Sequence, residues 1–213
     1  MDRSYIGFYA RFTSSSKDDA PILIGSDTLV GDLFDIEFVV EDGRTTAWLK
    51  NKFDYRVGYF DADVTRKLQL AQARELDIRA VLSFIAYDDM PEPGHYWGEV
   101  AIVCTSAASA DVFGPFIESL CAKLGEGVRP DIDLNEEALD KVFAEPGWMP
   151  STTVPLPKTE KGSAIIKSHR SMKENMVEQG RKGNPGCYAA SIIIDIVIVV
   201  LIIAAVLKLI GVI

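Results

Sequence analysis

Residues that could do chemistry are sparse in this chain, and the densest group lies between Arg44 and Tyr59. Arg44, Lys50, Lys52 and Arg56 stand there against a single Asp54, interleaved with Trp48, Phe53, Tyr55 and Tyr59. Rings that stack on bases, beside cations that meet phosphates, suit single-stranded nucleic acid. The competing reading is an ordinary hairpin whose aromatics pack inward and whose cations are solvated. Trp48, Lys50, Lys52, Tyr55 and Arg56 form the candidate ligand surface. A second group is His95 and Glu99, which flank Tyr96-Trp97-Gly98 at a strand start. On a strand, i and i+4 point the same way. A metal needs more ligands than this pair offers, and a hydrogen-bonded loop histidine is the simpler account. The chain holds no Gly-x4-Gly-Lys-Ser/Thr, Gly-x-Ser-x-Gly, His-Glu-x-x-His or Cys-x-x-Cys. No catalytic residue, cofactor or metal site is therefore assigned.

These residues need elements to position them. Ser4–Phe12 alternates apolar and polar residues and predicts a strand. Phe34–Val40 predicts a second, with Phe34, Ile36, Phe38 and Val40 on one face. Glu41-Asp-Gly-Arg is a tight-turn signal, and Thr45–Lys50 and Tyr55–Phe60 return as further strands. Asp61 through about Leu76 predicts a helix with an acidic first turn and Val64, Leu68 and Ala71 at helical spacing. Arg79–Tyr87 and Tyr96–Thr105 are apolar on both faces, as central strands are. Phe113, Phe116, Leu120 and Leu124 mark a second helix with Pro115 in its first turn. Asp133-Leu-Asn-Glu resembles a reciprocal N-cap for a third, burying Ala138, Leu139, Val142 and Phe143. The predicted fold is α+β: a mainly antiparallel sheet of five to six strands, about three packed helices and a C-terminal transmembrane helix.

The run Thr46-Ala-Trp-Leu-Lys, then Arg56-Val-Gly-Tyr-Phe and a helix, resembles the later half of HIRAN-type modules. The resemblance covers about residues 45–76, and Val57-Gly58-Tyr59 is its specific part. It implies binding of DNA ends. The family's Arg-Glu-Pro and Asn-Pro-x-Asp signals are absent, so no functional residue is carried over.

Composition supplies the rest. A chain of 213 residues that is 25% charged yet has a mean hydropathy of +0.12 must concentrate its apolar residues. It does so in Ser191–Ile213, where 19 of 23 are apolar. Twenty-three helical residues span roughly 34 Å, enough for a ~30 Å hydrocarbon core. Asp195 and Lys208 lie near its two ends and can snorkel outward. Residues 1–157 carry 14 Lys/Arg against 27 Asp/Glu, and residues 158–190 carry 7 against 3. The acidic body disfavours a globally electrostatic DNA binder, while the basic neck favours an anionic bilayer.

The expected layout is a cytoplasmic α+β domain over 1–147, a flexible Pro/Thr/Lys-rich linker over 148–162, and a basic juxtamembrane amphipathic segment over 163–187. A membrane helix over 188–213 completes it. Lys167, Arg170, Lys173, Arg181 and Lys182 are the expected membrane-surface contacts. The N-terminus, broken by Arg11, predicts no signal peptide, and basic residues before the span predict a cytoplasmic N-terminal domain. Cys104 and Cys121 read as buried hydrophobes in a reducing compartment; Cys187 is a candidate for modification or crosslinking. The leading functional expectation is a tail-anchored, single-pass protein whose domain binds a protein partner or self-associates without catalysis. The alternatives are a membrane-held nucleic-acid binder, and an enzyme built around His95, Glu99 and Asp54.

Overall fold

The computed structural model describes residues 2–14, 20–25, 27–92, 94–159 and 161–181, with Ile196. The chain divides into two units, Met1–Arg170 and Ser171–Ile213. In the first unit the elements are β1 (Tyr5–Thr13), α1 (Ala20–Ile24), β2 (Leu33–Glu41), β3 (Arg44–Lys50) and β4 (Arg56–Tyr59). Then follow α2 (Ala62–Ala73), β5 (Leu76–Asp88), β6 (His95–Ser106), a 3-10 turn (Ala107–Ser109), α3 (Ala110–Gly125), α4 (Glu136–Ala144) and β7 (Ser163–Lys167). The second unit holds α5 (Met172–Arg181). The α+β class and the antiparallel sheet are as the sequence predicts.

The strands run in the order β2-β3-β4-β1-β6-β5-β7, and β2 also pairs with β5, closing six strands into an antiparallel barrel. Closure rests on Leu33↔Val81 and Phe34↔Ala80, continued by the Gly31 amide donating to the Leu82 carbonyl at 2.8 Å and the Leu82 amide donating to the Asp32 carbonyl at 3.0 Å. The β2–β3 hairpin turns on Asp42 and Gly43, both at positive φ (50° and 72°), the pair of left-handed residues that a two-residue hairpin requires. Gly58 on β4 has a different reason: a Cβ there would lie 2.6 Å from the Phe12 ring and 2.8 Å from the Thr13 carbonyl oxygen.

The apolar character of β5 and β6 on both faces now has its cause. Ala80, Leu82, Val100, Ile102 and Cys104 face the barrel interior with Phe12, Leu49 and Leu68. Val81, Ala101 and Val103 face outward onto Phe113, Phe116 and Leu120 of α3 and Val142 of α4. Each fully buried Phe on that outer layer contributes about 1.5–3 kcal/mol. α2 places Leu68 and Ala71 in the interior cluster, and its N-cap Asp61 accepts from the Val64 amide at 2.8 Å.

Several expectations need correction. α2 stops at Ala73 because Glu75 takes φ 57°, and Leu76 already belongs to β5. Pro115 lies in the second turn of α3, since the 3-10 turn runs straight into a helix that starts at Ala110. The cap of α4 is Asn135, whose side chain accepts from the Ala138 amide at 2.9 Å, rather than Asp133.

The larger corrections lie beyond residue 147. Residues 148–162 do not form a free linker: Pro130 bridges Thr153, the Asp131 amide donates to Thr152, and the Val154 amide donates to Arg129. Residues 163–167 are a strand paired with β5, not the start of an amphipathic helix, so the compact unit runs to Arg170. No helix among the described residues is long and apolar enough to cross a membrane. The expected span over 188–213, with Lys182 and Cys187 before it, lies outside the described residues apart from Ile196.

Candidate functional site

On β3, alternation sends Ala47 and Leu49 into the barrel and Trp48 and Lys50 outward. Trp48 therefore sits between Glu37 on β2 and Tyr59 on β4. The Trp48 and Tyr59 ring centroids are 5.3 Å apart. Arg56 donates to the Glu37 carboxylate through Nε at 2.8 Å and a terminal nitrogen at 3.0 Å, with its guanidinium 5.8 Å from the Trp48 ring. Those bonds from Arg56 hold the Glu37 carboxyl below its ordinary range.

The connecting loop is shaped by Asn51, whose side-chain oxygen accepts from the Phe53 and Tyr55 amides at 2.9 and 3.1 Å. Lys50 reaches back to Asp54 at 3.0 Å, and that carboxylate raises the lysine's pKa. Lys52 lies 5.2 Å from the centroid of the Phe53 ring. Phe53, Tyr55 and Tyr59 are 50%, 59% and 38% exposed. The inward-packing account of this hairpin is thus corrected: Ala47, Leu49 and Val57 occupy the interior, and the aromatic rings are left outside.

The structure brings Trp48 and Arg56 together and joins them through Glu37, which the sequence reading did not single out. The signal was present in the β2 alternation, which puts Glu37 on the face opposite Phe38. Two of the candidate cations, Arg56 and Lys50, are already matched by carboxylates of the same face.

His95 and Glu99 belong to another region. His95 pairs across the sheet with Asp88 on β5, its Nε2 lying 3.7 Å from the carboxylate. Asp88 also accepts from Trp97 Nε1 at 2.7 Å, from Arg11 at 3.3 Å and from the Ser163 hydroxyl on β7. Burial pushes its carboxyl up, but the Ser163 and Trp97 bonds, with Arg11 and His95 nearby, outweigh this and hold it below its usual value.

Serine, aspartate and histidine are all present, yet the carboxylate lies between the other two. Ser163 donates to Asp88 rather than to a base, so the order does not make a nucleophile. Glu99 is ion-paired with Arg129, whose side chain is 5% exposed and lies 4.5 Å from the Tyr9 ring centroid. Asp54 pairs with Lys50, so the proposed His95–Glu99–Asp54 grouping is not assembled. A cleft of about 350 Å³ lies beside this cluster, lined by Arg11, Trp97, Glu99, Lys158 and Ser163. No group of three or more His, Cys, Asp or Glu among the described residues could hold a metal ion.

Two of the expected membrane contacts are also relocated. Lys167 donates to the Gly25 and Thr28 carbonyls at 3.2 and 2.8 Å. Arg170, its side chain 8% exposed, donates to the Val30 carbonyl and faces Asp32 at 3.8 Å. Both charges are consumed in holding the end of the unit to the β1–β2 connection. Lys173 stays exposed on α5, and Arg181 ends that helix. Cys104 is buried in the barrel, and burial pushes its thiol up to about 12; Cys121 on α3 is half-buried. No family model, curated protein or solved structure matches the chain.

Proposed function

We propose that this chain is a membrane-tethered binding module: the apolar segment 191–213 anchors it, and the outer face of β3–β4 engages a protein partner. The carrying observation is the outward cluster of Trp48, Tyr59 and Arg56, with exposed Phe53 and Tyr55 in the adjoining loop. Aromatic residues and arginine are the types that dominate protein interfaces, because they cover much area at small entropic cost. Here the cations are neutralised in advance by Glu37 and Asp54, in a body of strongly acidic composition. Such a face offers little net charge to a phosphate backbone. The basic residues Lys173, Arg181 and Lys182 before the apolar segment favour retention of the preceding domain on the cytoplasmic side.

Photocrosslinking from position 55 of the full chain in native membranes tests the reading. A discrete protein adduct is expected from there and not from Met90, which is equally exposed but lies off this face. Equal adducts from both positions, or none from either, would reject the surface. Recovery of the full chain in the soluble fraction after alkaline extraction would reject the anchor.

A second reading is favoured by the outward rings themselves. Exposed Phe53 and Tyr55, with half-buried Trp48 nearby on β3, can stack bases, and the HIRAN-type resemblance over residues 45–76 points the same way. Quenching of Trp48 by a single-stranded oligonucleotide, weakening steeply with salt, would choose this reading over the first.

A further inference from the structure

We propose that the gap between β2 and β5 receives an extended peptide of a partner protein, alternating basic and apolar residues, as an added strand. This deepens the protein-binding reading by naming a site and the chemistry of what enters it.

The gap follows from the register. β2 and β5 pair at Leu33↔Val81 and Phe34↔Ala80 and then separate. Continued pairing would set Ile36 opposite Ile78 and Phe38 opposite Leu76. Instead those four side chains line an open groove of about 270 Å³ with Asp35 and Arg79 at one end. The ion pair Arg79–Asp35, at 3.8 Å, marks the point where the strands part.

The backbone on the β2 side of this groove is ready to pair. In a two-residue hairpin the residues flanking the turn, here Glu41 and Arg44, exchange both hydrogen bonds. Odd-numbered β2 residues therefore bond β3, while Ile36, Phe38 and Val40 turn their N–H and C=O groups toward the gap. Among the described residues no strand pairs with them there. Such an edge is a template for another strand.

Charge and precedent select the occupant. Asp35 and Asp77 line the groove against Arg79 alone, so its surplus is negative, and β2 itself carries Asp35, Glu37 and Glu41. A second copy of β2 would bring the same carboxylates together and is disfavoured. The molecule already fills this same edge of β5 once: β7, Ser-Ala-Ile-Ile-Lys, pairs with Ile85–Asp88. Ile165 packs on Phe84, Ala86 and Trp97, and Lys167 is held by carbonyl oxygens. An apolar residue inward and a lysine at the margin is the chemistry this edge accepts.

The test titrates the full chain in detergent micelles with an end-blocked peptide, Lys-Val-Lys-Val-Lys-Val-Lys, following amide exchange. Saturable binding should slow exchange at Ile36, Phe38 and Val40 by about tenfold or more, and at Glu37 and Val39 much less. Glu-Val-Glu-Val-Glu-Val-Glu should bind at least about tenfold more weakly. Val40→Pro removes one gap-facing N–H and no β3 bond, and Ile78→Lys places a charge in the groove; each should abolish binding while the thermal transition persists. Equal binding of the acidic peptide, or binding unchanged in a folded V40P chain, overturns the proposal. So does an absence of saturation at millimolar peptide, or protection of these amides that grows with the chain's own concentration. A failed titration leaves the crosslinking result at position 55 to stand or fall separately.

Discussion

The two ends of β5 make an instructive pair. Both belong to one strand, both offer the edge that faces away from β6, and they have met different fates. The C-terminal end, Ile85–Asp88, is covered by β7, and the covering strand is fastened at several points. Ser163 bonds Asp88, Lys167 bonds two carbonyls, and Arg129 donates to the Pro155 carbonyl just upstream at 2.7 Å. The N-terminal end, Leu76–Arg79, has β6 on one side and an open groove on the other. Backbone edges are not intrinsically quiet; one end is silenced by intramolecular pairing, and the other is left for something else.

Breaking the fastened end should have the largest effect. Arg129→Ala leaves Glu99 without its partner in a poorly solvated position and releases the Pro155 carbonyl. Removal of one member of such a buried pair costs about 3–5 kcal/mol, measurable by urea unfolding. Exchange should quicken first at Ala86 and Tyr87, while Ile36 and Phe38 change little. If protection fell equally at both ends, the fastening would be global and the contrast would disappear.

Ile165→Ala removes the apolar contact of β7 with Phe84, Ala86 and Trp97. Because Ile165 is half-buried, about 1–2 kcal/mol is expected, below the cost of a fully enclosed cavity. Limited proteolysis should then cut between residues 156 and 163 while leaving 1–147 intact. A variant as resistant as the parent would show that β7 contributes no stability.

Asp88 gives the fastened end a dependence on acid. Its folded pKa lies below the ordinary carboxyl value of 3.8, so its contribution is complete above about pH 4. The contribution is lost as pH falls through the depressed folded value. Asp88→Asn should therefore be less stable than the parent at neutral pH, and the difference should shrink below about pH 4. A gap between the two proteins that stays constant from neutral to strongly acidic pH would contradict this.

At the open end, substitution should cost the isolated chain least. Val40 is exposed and its gap-facing N–H has no strand partner among the described residues, so Val40→Pro should shift stability by no more than about 0.5 kcal/mol. A loss of several times that, read from the same urea curves, would mean this edge is already occupied within the chain.

The sequence by itself determined the local elements and the class. Period-two alternation in β1, β2 and β3, and helical spacing of Val64, Leu68 and Ala71, depend on neighbours a few residues away. The two-sided apolarity of β5 and β6 also announced strands covered on both faces. What only the tertiary structure decided is closure, and with it the meaning of the charged residues. Pairing of Ile85 with Lys167, and donation from Arg170 to Val30, join residues distant along the chain, and no local pattern encodes such partners. Lys167 and Arg170 looked like membrane-facing cations because composition records a charge and not what neutralises it. The outward Trp48–Arg56–Glu37 group was half legible: the residue types stood in the sequence, but which face they shared depended on small residues, Ala47 and Val57, filling the interior first. The gap beside Ile36 and Phe38 was wholly illegible, since a strand's free edge is defined by the strand that does not arrive.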